Sequence, residues 1–357
     1  MQYPQLTQKA LGCFENNVPF VLFSIPGSNS ITGIFQKDVH TSLPNESLED
    51  SFIFSPFNLQ QENYRIPLEN SDSYNCMLNL KEEEISPQTI TIDETKEDKQ
   101  AHLTLVNNAI DKIQTGNIQK VVVSRKKEIS LQGFQLQKLC DSLFSQNPSA
   151  FRYVWYHPKT ALWCGATPEV LIKTKDNAFT TMALAGTQKI ENTSIIFWGD
   201  KEKNEQQWVV DAIVDSLLDK TTALNISKTK SHIAGNLAHL RTDIKGVLNT
   251  SRYGLKKVVE ALHPTPAVCG TPTKRAQDFI YKNENYDREF YTGFLGISNA
   301  EQNSTDLFVN LRCIKIDQNN ATLFAGGGIT KDSNAEDEWL ETHNKMQTMI
   351  QVLQPLL

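Results

Sequence analysis

Hydrophobic positions along this chain fall mostly into short, near-continuous runs separated by turn residues, the pattern of strands buried in a layered sheet. Such runs stand at residues 20–25, 51–54, 120–124, 152–156, 161–164, 170–173, 179–184 and 321–325. Pro26-Gly27, Pro44-Asn45 and Pro56 punctuate the first of them. Helical period replaces this pattern in a few places. Leu103, Val106, Ile110 and Ile113 predict one helix that Gly116 can end, and residues 134–144 predict a second. Over residues 200–218 (DKEKNEQQWVVDAIVDSLL), Val210, Ile213, Val214, Leu217 and Leu218 make an apolar stripe. Asn334 is placed to cap a further helix, with Asp337 near its third position. Residues 286–297 lead into a hairpin with residues 307–316. Residues 1–95 are expected to form a strand-rich lobe packed on a core made by 96–357, with the charged stretch 93–100 (DETKEDKQ) as the joint and the whole effectively one large domain. No internal repeat or low-complexity segment appears.

Composition narrows the partners. Of 357 residues, 39% are hydrophobic and 21% charged, so the chain can bury a sizeable core. A net charge of −6 makes nucleic acid an unsuitable partner, and an anionic substrate would need local positive charge from Lys, Arg or a metal. The six cysteines contain no C-x-x-C pair, which argues against a zinc site or a disulfide scaffold. The apolar run 18–25 is too short to span a bilayer and lacks the basic start of a signal peptide. No membrane association is expected, and a cytoplasmic location is.

The candidate chemistry gathers at two of these helices. Residues 325–345 read AGGGITKDSNAEDEWLETHNK. Gly326, Gly327 and Gly328 follow an apolar run and are expected to form a turn whose N–H groups approach a ligand. Behind them Glu338 and Glu341, spaced i,i+3, leave one face of a helix. The stripe of helix 200–218, extended backwards, meets Glu202 and Glu205 at the same spacing. Two acids near a buried face need pairing, hydrogen bonds or a metal, and two such helices facing each other would surround Mg²⁺ with oxygen ligands. The plainer reading, acids favouring helix N-termini, stays open. Lys120 opens an apolar strand, either as an edge lysine whose stem is buried or as a functional amine. Glu169 is a surface cap or an acid at a strand end in a cleft. Ala185, Gly186 and Thr187 close a strand where small side chains permit close approach. His239 and His263 are read as lining walls, His263 in a rigid Pro-rich segment. Arg312 lies in LFVNLRCIKI, and on so apolar a strand its guanidinium needs an anion; a carboxylate held by two prongs fits, with the Tyr291 hydroxyl beside it.

Taken together, KVVVSR, TPE, LAGT, the pair Glu202/Glu205, HLRT, LHPTPAVCG, FYTG, NLRC, AGGGI and EWLETHNK resemble, in this order, the chorismate-utilising enzymes over roughly residues 100–355. Within that family the chain looks most like the isochorismate synthases. The resemblance implies an α/β (α+β) fold of large, layered, largely antiparallel sheets flanked by helices. It implies Mg²⁺ between Glu202, Glu205, Glu338 and Glu341, holding the C1 carboxylate of chorismate. Arg312, Tyr291 and the amides of Gly326, Gly327 and Gly328 would hold the enolpyruvyl carboxylate, with Lys345 nearby. Lys120 would be the general base and Glu169 the general acid. Lys120 stands where ammonia-using relatives typically have glutamine, and Ala185 where aminodeoxychorismate synthases often have lysine. No amidotransferase domain or subunit is expected. Salicylate synthase is the leading alternative. An amine-transferring relative and a catalytically dead binding protein stand behind it.

Overall fold

A computed structural model of the chain describes residues 1–38, 50–78, 93–190, 196–234, 237–249 and 254–357. The turn expected at Pro44-Asn45 lies outside them. Two antiparallel sheets stack face to face with helices on both outer sides, the α/β layering expected from the sequence. The first runs from edge to edge through β14 (Gly270–Thr271), β6 (Lys120–Ser130), β18 (Asn320–Ile329), β17 (Cys313–Asp317), β8 (Ala161–Thr167), β7 (Phe151–His157), β1 (Phe20–Ser24), β2 (Ser30–Gln36) and β5 (Ser71–Met77). The second runs through β11 (Thr221–Ile226), β13 (Leu237–Leu248), β10 (Ala178–Lys189), β9 (Val170–Lys175), β16 (Ser304–Val309), β15 (Phe294–Asn299), β3 (Ser51–Ser55) and β4 (Tyr64–Pro67), with β12 (Lys230–Ala234) also on β13.

Aromatic side chains fill the space between the sheets. Phe151 stacks on Phe308 at 4.1 Å and Phe54 on Phe290 at 4.3 Å, each such pair adding about 0.5–1.5 kcal/mol beyond its buried area. Helices α1 (Tyr3–Glu15), α3 (Leu136–Ser145) and α7 (Ala335–Leu353) cover the outer face of the first sheet. Helices α4 (Asp200–Leu217) and α5 (Leu255–Leu262) cover the second, and α2 (Lys96–Gln114) and α6 (Thr273–Asn283) close over the start of β6. That is why residues 120–125 are all buried while 126–130 are exposed or half-buried. Among the described residues no helix is long and apolar enough to cross a membrane, and all six cysteines are free thiols.

Four local expectations change. Residues 3–15 are helical, with Leu6 and Ala10 packed into the core, although the chain start read as strands and turns. Residues 20–77 supply strands to both sheets. Stretch 93–100 is mostly exposed, as its charge suggests, but from Lys96 on it is helical. Thr95 caps α2, accepting from the Asp98 N–H, and Glu94 pairs with Arg125 inside the protein. The three glycines do not form a turn but continue β18, opposite Ser124, Val123 and Val122 of β6. Finally, Arg312 is not on a strand. The hairpin partner of β15 is β16, and the chain then leaves for the other sheet at residues 310–312, where Arg312 takes φ +47°. The apolar pattern was continuous because both strands are buried, so it could not show the corner between them.

Candidate active site

One cavity lies between the start of β6, the second half of β18, the end of β10, and the first turns of α4 and α7. Hydrogen bonding on β6 explains why β18 opens onto it. Val122 N–H bonds Cys269 O and Ser124 N–H bonds Glu284, so these residues face away from β18. In an antiparallel ladder the backbone of their opposite numbers, Gly328 and Gly326, then points to the far edge. β17 pairs only up to Leu323, which leaves that edge to the cavity. Lys345 Nζ uses it, bonding Gly326 O at 2.8 Å.

The glycines serve close approach. A Cβ on Gly327 would stand 2.7 Å from Glu338 Oε2, and one on Gly328 2.5 Å from Glu205 Oε1 and 2.9 Å from Lys120 Cε. Absent side chains therefore let both acidic helices press their carboxylates against the strand.

Of the predicted residues, Glu169, Ala185, Gly186, Thr187, Glu202, Glu205, His239, Tyr291, Arg312, Gly326, Gly328, Glu338, Glu341 and Lys345 line this cavity. Lys120 does not reach its surface: its side chain is 1% exposed, and its Nζ pairs with Glu205 Oε1 at 2.8 Å. Gly327 is not among the lining residues, because Glu338 packs against it. His263 is misplaced by the sequence reading. Its Nε2 bonds Phe57 O at 3.0 Å and its ring packs on Phe57 and Phe294, away from the cavity. The same segment supplies the wall through Ala267 and Val268, and Thr265 Oγ1 donates to Glu169 at 3.4 Å.

The four acids do not act as one set. Glu202 Oε2 accepts from the Gly199 N–H at 3.0 Å, so one of its two oxygens caps its own helix. Glu338 pairs with Lys201 at 3.2 Å and accepts from Ser333 at 2.8 Å. Glu341 pairs with Lys345 at 2.7 Å. Burial, then the neighbouring Glu341, push the Glu338 carboxyl up to about 7, against Lys201 and Ser333. Two like charges sharing a buried corner, with oxygen donors alone, suit a hard cation, although among the described residues no group of three acids, His or Cys is already clustered as a metal cage. Lys201 was missed because only the acids of helix 200–218 were weighed. Burial opposes its charge, but Glu338, then Glu205 and Glu341, hold its pKa above the usual lysine value.

Glu169 is buried, and burial raises its carboxyl to about 7 despite Lys120, Thr265 and Lys345. It is poised to hold and release a proton near neutrality. Across the cavity, burial lowers the Arg312 guanidinium to about 10, still cationic at neutral pH. Its Nη2 meets His239 Nε2 at 3.4 Å, and among the described residues it has no carboxylate partner. Burial, then Arg312 and Lys345, depress His239 to about 3, so the ring is neutral. Gly186 O can only accept, at 3.1 Å, so Nδ1 carries the proton and Nε2 accepts from Arg312. Tyr291 stacks on Phe324 at 5.3 Å, and burial keeps its phenol protonated far above the usual range. A cationic fork, a phenolic donor and open strand amides thus face several acids across one cavity.

The model of the chorismate binding enzyme family matches residues 58–354. The chain belongs to that family. Isochorismate synthase EntC of Escherichia coli (strain K12) is 28% identical over 285 residues, which cover 77% of this chain and 70% of that protein. Isochorismate synthase DhbC of Bacillus subtilis (strain 168) is 29% identical over 265 residues, 70% of this chain and 66% of that one. The fold is that of MenF, the menaquinone-specific isochorismate synthase from Escherichia coli, with a TM-score of 0.77 at 22% identity over 94% of this chain and 89% of that one. Membership of the chorismate binding family accounts for a cavity that offers positive charge and donors to an anion beside a corner of carboxylates.

Proposed function

We propose that this chain is an isochorismate synthase that converts chorismate to isochorismate with Mg²⁺. The carrying observation is one cavity that brings a carboxyl poised near neutrality, Glu169, together with a guanidinium that has no carboxylate partner among the described residues, Arg312. The similarity to EntC and DhbC supports the same reading. Arg312 and Tyr291 take the enolpyruvyl carboxylate, with the Gly326 and Gly328 backbone beside them. Glu205, Glu338 and Glu341 would hold Mg²⁺, which when bound supplies positive charge against the C1 carboxylate. Glu202 is left to its helix.

The reaction adds water at C2 and removes the C4 hydroxyl. Lys120 takes the proton of the attacking water, and the ring double bonds shift. Glu169 gives its proton to the departing hydroxyl, which leaves as water, so composition is unchanged. Glu205 Oε1 holds Lys120 Nζ at 2.8 Å, and the base role requires that pair to open first.

Incubation with chorismate and Mg²⁺, with products separated by chromatography, tests the proposal. Isochorismate without pyruvate is expected; salicylate with pyruvate would make the chain a salicylate synthase. EDTA should abolish turnover. Lys120→Gln should slow isochorismate formation by roughly 10²- to 10⁴-fold with the circular dichroism unchanged. Wild-type turnover by that variant would mean that the water is activated elsewhere.

A further inference from the structure

Three carboxylates border the corner assigned to Mg²⁺, and each already has a lysine: Glu205 with Lys120 at 2.8 Å, Glu341 with Lys345 at 2.7 Å and Glu338 with Lys201 at 3.2 Å. The three lysines are not equivalent. Lys120 is sealed on β6 with 1% of its side chain exposed. Lys345 has a second anchor, the Gly326 carbonyl, and sits one turn from its partner on the same helix. Lys201 has neither restraint. It lies in the first turn of α4, its side chain is 34% exposed, and among the described residues Glu338 on α7 is its one side-chain hydrogen-bond acceptor. A cation in the first turn of a helix faces the positive end of the helix dipole, so the helix itself does not hold it there. What holds it is the carboxylate across the cavity. A flexible four-carbon stem with one exposed side can also swing the ammonium out to water.

We infer that Lys201 is a displaceable counter-ion: it neutralises Glu338 in the metal-free enzyme, competes with the divalent cation for that carboxylate, and must release it when the cation enters. The inference rests on the reading of Glu205, Glu338 and Glu341 as the residues that hold Mg²⁺. It assigns Lys201 a part in setting metal affinity rather than in the bond changes. Without its ammonium, Glu338 and Glu341 face each other with less compensation, and a cation entering between them has no competitor to expel. A second charged group of similar reach would compete as lysine does.

Calorimetric titration of metal-free enzyme with Mg²⁺, no substrate present, tests this on wild type, Lys201→Met, Lys201→Arg and Glu338→Gln. Lys201→Met should bind Mg²⁺ ten-fold or more tightly than wild type, while Lys201→Arg stays near wild type. Melting gives a second readout: metal-free Lys201→Met should melt lower than wild type, and Mg²⁺ should raise its Tm by more than it raises that of wild type. Unchanged or weaker Mg²⁺ affinity in Lys201→Met, with Glu338→Gln abolishing binding in the same assay, overturns the counter-ion role and leaves the metal site standing. Equal Mg²⁺ affinity in wild type and Glu338→Gln overturns the metal assignment of Glu338, and this inference with it.

Discussion

Two buried arginines stand on opposite sides of β6 and β18, and their partners differ more than their burial. Arg288 donates through Nε and Nη2 to Glu284 at 2.8 and 2.6 Å, through Nη1 to Val268 O at 3.0 Å and through Nη2 to Val122 O at 2.7 Å. Glu284 also accepts from the Ser124 N–H and hydroxyl, and both charged side chains are 1% exposed. This network stands where β14 has ended and the edge of β6 has lost its strand partner, so side chains complete the ladder. Burial opposes the Arg288 charge, yet Glu284 holds its pKa above the usual value. Arg312 has one long contact to a neutral ring, and burial lowers its pKa. A buried guanidinium whose donors all end on the protein is part of the architecture. One whose donors meet, among the described residues, a single neutral ring is built for a ligand, since its desolvation is offset only when an anion arrives.

The largest expected effect breaks the closed side. Arg288→Met leaves Glu284 buried and unpaired, which should remove about 3–5 kcal/mol of stability in urea unfolding. Arg312→Lys should behave in the opposite way. The charge remains but the two-pronged geometry is lost, so KM for chorismate should rise roughly ten-fold or more, about 1.4 kcal/mol or more. Its Tm should stay at the wild-type value, because among the described residues no carboxylate depends on it. If Arg312→Lys lost stability with KM unchanged, the two arginines would belong to one class, and the cavity would need another anion receptor.

The layered strands and capped helices were legible in the sequence because burial there follows one repeating pattern. Asn334 caps α7, accepting from the Glu336 and Asp337 N–H groups as its position predicts. Where a pattern serves two ends it misleads. The run LFVNLRCIKI is mostly apolar, yet it holds a strand of each sheet and the corner that aims Arg312. The three glycines signal close approach, and only the pairing with β6 shows that the approaching groups are Glu205 and Glu338 rather than a loop's own ligand. Glu202 and Glu205 share a spacing, but Glu202 caps its own helix while Glu205 reaches Lys120. Lys201 and Thr265 carry no signal of their own. Their roles come from partners more than ninety positions away in the chain, and such pairing leaves no local trace.

The same contrast holds for two buried acids, and gives the smallest effect. Glu284 accepts from Arg288 and from Ser124, whereas Glu169 has one 3.4 Å bond from Thr265. Burial lifts Glu169 from 4.5 to about 7. Because its folded pKa lies above the unfolded one, the folded state binds the extra proton between those values. The stability this contributes is complete below 4.5 and is lost as pH rises through about 7. Glu169→Gln cannot ionise and keeps that stability. On metal-free enzyme it should therefore match wild type in stability near about pH 4.5 and exceed it by about 1–3 kcal/mol near about pH 8. Glu338 also titrates near 7, but it is present in both proteins and cancels from the difference. Glu284→Gln should instead lose stability at both pH values, because Arg288 is then left without its counter-charge. Urea unfolding of the three proteins at the two pH values decides it. A Glu169→Gln difference that does not change with pH would mean that Glu169 ionises as easily in the fold as out of it, and that it is no better placed to donate a proton than a surface acid.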